Sequence, residues 1–136
     1  MISALDSNVL IDLLGPPTKF TDPSIAALDD CHRRGALIVC PVVIAELAAY
    51  SQTAGELKRL LEDMHLGLVA FSWDDLHAAG DAYVRYCRRS GRPKTRMLAD
   101  FLIAGHAEAH ADALVTRDRG YYSTYFPKLR LIEPGE

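Results

Sequence analysis

Cysteine is too scarce in this chain to organise it. Cys31, Cys40 and Cys87 are odd in number, lie far apart and include no CxxC pair, so neither a disulfide framework nor a cysteine zinc site is indicated, and a reducing cytoplasm is the expected location. Long apolar runs are also missing. Nothing approaches the ~20 residues of a membrane span. The opening stretch MISALDSNVLIDLLG has no basic n-region and is broken by Asp6 and Asp12, so it reads as a first strand and helix rather than a signal peptide. No Gly-rich phosphate loop, nucleophile elbow, internal repeat or disordered tail is evident, which removes the usual nucleotide-binding and serine-hydrolase readings. Positive charge is not in excess, and the net charge of -3 argues against a protein that coats nucleic acid by bulk electrostatics. What remains is an ordinary globular composition, 49% hydrophobic and 24% charged over 136 residues, which predicts one domain spanning 1–136 with a core of its own.

Strands and helices alternate along the chain. A short apolar strand at 2–5 runs into the polar turn Asp6-Ser7-Asn8, and Val9, Leu10, Leu13 and Leu14 then recur at helical spacing up to Gly15. Asp22-Pro23 reads as a helix start with Ile25, Leu28 and Cys31 on one face, and Leu37–Cys40 as a buried strand. Pro41 to Tyr50 reads as an almost wholly apolar helix interrupted by Glu46. Leu57, Leu60, Leu61 and Met64 mark another helix, and 67–71 a strand. Ser72 with Asp75 opens a long helix whose predicted buried face is Leu76, Ala79, Tyr83 and Cys87. Leu98 to Ala109 is apolar on two sides, Ala113–Val115 is a strand, and 129–132 supplies an edge strand. Such alternation without tight hairpins predicts an α/β fold, with helices on both faces of a mostly parallel sheet and the site at the strands' carboxyl ends.

Four acids stand out against this background. Asp6 and Asp118 follow predicted strands and should project towards the shared edge. Glu46 is set among Val42, Val43, Ala49 and Tyr50, and Asp100 within MLADFLIA, apolar surroundings in which an unpaired carboxylate costs several kcal/mol. Each therefore needs a cation, a hydrogen-bonding partner or a metal. Two such carboxylates at ~4 Å repel by about 4 kcal/mol at an effective dielectric near 20. Hard oxygen donors with few histidines suit Mg²⁺ or Mn²⁺, and such ions bind phosphodiesters and activate water for in-line attack on phosphorus. Taken singly, Asp6 and Asp118 also suit turns, and Glu46 or Asp100 also suit ion pairs with Arg117 or Lys94. Asp12, Asp29, Asp30, Asp74, Asp75 and Asp112 are expected to be solvated.

ALDSNVLID around Asp6, VIAEL around Glu46, LADFLIAGHA around Asp100 and LVTRDRGY around Asp118 together resemble the PIN-domain ribonucleases, and within them the VapC toxins of toxin–antitoxin pairs. Four motifs in order over nearly the whole chain make the resemblance specific, although the first turn reads Asp-Ser-Asn where the family often has threonine. The resemblance implies a PIN-like three-layer α/β/α fold and a Mg²⁺- or Mn²⁺-dependent endoribonuclease that hydrolyses RNA phosphodiesters through a metal-activated water. Asp6, Glu46, Asp100 and Asp118 are its implied metal ligands, with Ser7, Asn8 and Thr116 as supporting or water-orienting groups. It further implies a VapB-like antitoxin and a homodimer.

Arg85, Arg88, Arg89, Arg92, Lys94 and Arg96 concentrate positive charge before the Asp100 helix and form the candidate RNA track, joined by Arg117 and Arg119 beside Asp118. The same residues at a helix end also complement its dipole. His106 and His110 are spaced for zinc but lack a third ligand, and an exposed polar helix end is expected there. Tyr121, Tyr122, Tyr125 and Phe126 are expected in core and edge packing. Two rivals remain: a non-catalytic RNA- or protein-binding PIN-like module, and a phosphoacceptor receiver domain, which is expected to carry a late lysine where Asp118 stands.

Overall fold

The computed structural model describes residues 1–89, 96–118 and 122–136. Five three-residue strands, β1 (Ser3–Leu5), β2 (Leu37–Val39), β3 (Leu66–Leu68), β4 (Ala113–Val115) and β5 (Arg130–Ile132), form one sheet in the order β3-β2-β1-β4-β5. Every neighbouring pair is parallel, with Ser3 opposite both Leu37 and Ala113. β1, β2 and β4 are buried throughout, as apolar runs without alternation should be in a sheet covered on both faces.

Seven helices connect the strands: α1 (Ser7–Leu14), α2 (Thr21–Arg34), α3 (Pro41–Glu46), α4 (Ala54–Asp63), α5 (Trp73–Arg88), α6 (Leu98–His110) and α7 (Tyr122–Tyr125). The chain steps from β1 to β3 through α1 to α4 and returns to β4 through α5 and α6; because crossovers between parallel strands are right-handed as a rule, the two directions of travel send helices to opposite faces. The result is the expected three-layer α/β/α arrangement. β1 and β4 lie side by side, but the chain leaves them towards opposite edges of the sheet. This topological switch point opens a crevice at the carboxyl ends of the two strands, and Asp6 and Thr116 are the first residues beyond them.

Several local expectations change. α2 begins at Thr21, one residue before the Asp22-Pro23 cap. The buried face of α5 is Asp75, Ala79, Ala82 and Tyr86, rotated by about one position from the predicted stripe, so Leu76 and Cys87 are exposed. Ala79 is common to both stripes and packs against Gly105 of α6, where a Cβ on Gly105 would stand 3.0 Å from the Ala79 Cβ; the rotation goes with Asp75, which is buried against Ser72 and His110. The apolar helix expected through Tyr50 stops at Glu46 and continues as a 3₁₀ turn at Ala48–Tyr50. Asp12 and Asp75 are buried rather than solvated, because each has found partners distant in sequence.

Candidate active site

Asp6 is the hub. It is the N-cap of α1, with extended backbone, and its Oδ1 accepts the Ser7 N–H at 2.7 Å. Its Oδ2 accepts from the Thr116 hydroxyl at 2.9 Å and from the Tyr122 hydroxyl at 3.3 Å. The carboxyl is buried, with 6% of the residue exposed. Burial pushes its pKa up, hydrogen bonds from Thr116, Ser7 and Tyr122 counter that, and the charge of Asp100 adds to the rise.

Glu46 reaches the hub from the other side. It ends α3, where the helix dipole disfavours an anion, and it is exposed rather than buried among its apolar neighbours. Its carboxylate nevertheless turns inward, and Oε1 accepts from the Ser7 hydroxyl at 3.0 Å, while the same hydroxyl lies 3.4 Å from Asp6 Oδ1. Partial desolvation raises the Glu46 pKa; the Ser7 hydrogen bond lowers it, and the charges of Asp6 and Asp100 raise it further. Asp100 is half-buried and sits in the first turn of α6 rather than mid-helix. There its Oδ2 accepts the Met97 N–H at 3.2 Å, and an acid in this position complements the dipole. The charge of Asp100 on α6 thus raises the affinity of both Asp6, at the start of α1, and Glu46, at the end of α3, for positive charge.

Asp118 is held differently. Its N–H donates to Thr116 Oγ1 at 3.0 Å, which ties its backbone to the hub. Its carboxylate is paired in bidentate fashion with the Arg96 guanidinium, Nη2 to Oδ1 at 3.1 Å and Nη1 to Oδ2. Asn8 links the two turns, donating from Nδ2 to Thr116 Oγ1 at 3.3 Å and accepting the Arg117 N–H on Oδ1 at 3.2 Å. Among the described residues, no three Asp, Glu, His or Cys side chains are grouped closely enough to hold a metal ion. The donor chemistry nonetheless fits a hard divalent cation: Asp6 and Glu46 are bridged by the Ser7 hydroxyl rather than by a cation, and the charge of Asp100 acts on both.

The basic residues are mostly committed. Arg85 pairs with Asp81 at 3.3 Å, Arg89 donates to the Tyr125 hydroxyl at 3.3 Å, and Arg117 is bidentate to Asp12 rather than to Glu46 or Asp100. Arg88 is exposed. Arg92, Lys94, Arg119 and Tyr121 lie outside the described residues. The histidine pair is not an exposed helix end. His106 is 1% exposed, its Nε2 is 2.8 Å from the Val69 carbonyl and its ring meets Phe71 edge-on. Burial lowers the His106 pKa. His110 Nε2 is 2.6 Å from Asp75 Oδ2. Tyr122 is buried as expected, but its contact with Asp6 was not legible in sequence, since a hydroxyl's target 116 positions away leaves no local pattern.

An all-parallel sheet ordered 3-2-1-4-5, with a carboxylate-centred site at its switch point, defines the class of α/β protein to which this chain is assigned. Comparison narrows the class: the PIN domain family model matches residues 4–127, and the chain belongs to that family. No curated protein matches it. Among solved structures, a chain of VapBC2 from Rickettsia felis, bound to a DNA fragment from its promoter, is similar at 22% identity with a TM-score of 0.69, over 98% of each chain. A chain of a toxin–antitoxin complex from Klebsiella pneumoniae is similar at 18% identity and 0.71, over 98% of each. A chain of VapBC-1 from nontypeable Haemophilus influenzae is similar at 20% identity and 0.69, over 100% of each. At these identities the likeness establishes the shared fold.

Proposed function

We propose that this chain is a Mg²⁺- or Mn²⁺-dependent endoribonuclease and the VapC-like toxin of a toxin–antitoxin pair, working in the cytoplasm. PIN domains are typically nucleases, and the observation that carries the reading is that Asp6 and Glu46 share the Ser7 hydroxyl at the switch point and both feel the charge of Asp100. There, burial and mutual repulsion hold Asp6 and Glu46 above their ordinary carboxylate pKa range. A bound divalent ion would neutralise the acids, receive the phosphodiester oxygens and acidify a water. Asp6, Glu46 and Asp100 would hold it, with Asp118, here paired with Arg96, as the fourth ligand. Thr116 and Tyr122 fix the orientation of the Asp6 carboxylate, Ser7 sets the spacing of Asp6 and Glu46, and Asn8 fastens the Thr116 turn. Arg88 and Arg96 would meet RNA phosphates, with Arg85, Arg89, Arg92, Lys94 and Arg119 completing the proposed track. The partners follow from the same reading: an RNA substrate, a small VapB-like antitoxin and a second copy of the chain.

A second reading, a non-catalytic RNA- or protein-binding module, draws on the Arg96–Asp118 pair, which neutralises one acid without any metal. Purified chain incubated with total RNA, with and without Mn²⁺, separates the two. Cleavage is expected only with the ion, and Asp6→Asn and Asp100→Asn are expected to abolish it while keeping the native circular dichroism spectrum, since asparagine also serves as an N-cap. Undiminished cleavage by both variants overturns the nuclease mechanism, and no cleavage by the wild type with either ion favours the binding module.

A further inference from the structure

Arg117 stands between two residues of the site, yet its own side chain points away into a set of contacts that the proposed chemistry does not use. Nε donates to Asp12 Oδ2 at 2.8 Å and Nη2 to Asp12 Oδ1 at 3.1 Å, a bidentate pair of the strong, orientation-specific kind. Asp12 is 7% exposed, and the buried Ser24 hydroxyl donates to its Oδ2 at 2.6 Å. The guanidinium carbon lies 4.0 Å from the centre of the Phe20 ring, a cation–π contact that covers its face. The side chain is thus gripped by α1 and by the residue before α2, while Ser24 of α2 fixes Asp12.

The grip has a direct consequence for the site. Asn8 and Asp12 are one turn apart on α1 and share a face; Asn8 accepts the Arg117 N–H while Asp12 takes its side chain. The turn after β4 is therefore fastened to α1 at both the backbone and the side chain of one residue. Thr116, immediately before it, presents the hydroxyl that hydrogen-bonds Asp6, and Asp118, immediately after it, donates its N–H back to that hydroxyl. We propose that Arg117 is a positioning residue: clamped by Asp12, Ser24 and Phe20, it sets where Thr116 and Asp118 stand relative to Asp6. It is thereby removed from the RNA track in which sequence alone placed it. The inference rests on the reading of the carboxylates as an ion site.

The test is calorimetric titration of the full chain with Mn²⁺ alone, for the wild type, Arg117→Met, Arg117→Lys, Asp12→Asn and the Asp12→Asn/Arg117→Met double variant, each first shown to be folded at the titration temperature. Groups that orient metal ligands typically contribute 10–100-fold in affinity, so Arg117→Met is expected to weaken Mn²⁺ binding by about that factor. Arg117→Lys should recover part of the loss, because lysine restores charge without the two-pronged fork. The double variant should bind no more weakly than Arg117→Met, since both substitutions open one clamp. If Arg117→Met does not fold, Arg117→Lys and Ser24→Ala carry the test, each expected to lower Mn²⁺ affinity by a smaller factor. Folded variants that melt earlier but bind Mn²⁺ as tightly as the wild type would overturn the proposal, as would variants whose only defect is weaker RNA binding. No Mn²⁺ binding by the wild type would instead bring down the ion site, and the positioning role with it.

Discussion

At the scale of single residues, Asp6 shows two opposing effects on one carboxylate. Three hydrogen-bond donors favour its charged form, yet burial and the charge of Asp100 leave its pKa raised. Glu46 is raised for the same kinds of reason. The sign of the pH dependence follows. Between the ordinary carboxylate pKa near 4 and the raised native values, the folded chain holds protons that the unfolded chain has released, so stability falls as pH increases through that window. His106, whose pKa is lowered by burial, contributes the opposite slope below about 6.5, so the carboxylate contribution is read as a difference between proteins. Urea denaturation without divalent ions, from pH 4 to 8, is expected to show Asp6→Asn gaining stability relative to the wild type as pH rises; a constant difference would contradict the raised pKa. Asp6 stood out in sequence because it follows a strand, whereas Ser7, Asn8 and Thr116 entered only through the family resemblance. Asp12 and Tyr122 stood out in neither way: Asp12 looks like any polar residue on α1 until Arg117, 105 positions later, is seen to meet it.

At the scale of elements, sequence periodicity found nearly every helix and strand but placed faces and ends less well. Apolar residues on α5 fit two adjacent stripes, and composition favours the one containing Leu76 and Cys87. Packing chose the other, because Asp75 can be buried where Ser72 N–H and His110 supply hydrogen bonds; Ala79, common to both stripes, packs against Gly105 of α6. The Asp75 hydrogen bonds outweigh burial, which alone would raise its pKa, and leave it lowered. The end of α3 at Glu46 was hidden for a similar reason, since apolar residues stand on either side of that boundary. The helix crossing can be tested directly. A Gly105 Cβ would stand 3.0 Å from the Ala79 Cβ and 3.6 Å from the Phe126 ring, so Gly105→Val must push two packed elements apart. Overpacking of this kind costs about 1–3 kcal/mol, against at most about 1 kcal/mol regained from leaving glycine in a helix. Gly105→Val should therefore lower the urea midpoint with an unchanged m-value, while Gly105→Ala, needing only a few tenths of an ångström, should lie close to the wild type.

At the scale of the whole molecule, the strand order is what turns a scattered set of acids into a site. Asp6 and Asp118 are separated by more than a hundred residues, but β1 and β4 are neighbours, with Leu5 opposite Val115, so the residues following them open onto one crevice. The alternation of strands and helices made a parallel sheet legible; which strands are adjacent is a long-range property that no local pattern carries, and the order β3-β2-β1-β4-β5 came from the structure. If this arrangement exists to hold a divalent ion, the ion should stabilise the entire fold, because the unfolded chain cannot assemble carboxylates from α1, α3 and α6. At a hundredfold excess over its dissociation constant, a ligand that binds only the native state adds about 2.7 kcal/mol. For a chain of this length each kcal/mol moves Tm by about 3–5 °C, so saturating Mn²⁺ should raise Tm by roughly 10 °C. Protons compete for the raised carboxyls, so the increment should shrink as pH falls towards 5, and it should be largely lost in Asp6→Asn at any pH. A fold in which these acids serve stability alone predicts instead that Mn²⁺ leaves the melting curve in place and that Asp6→Asn responds to the ion as the wild type does.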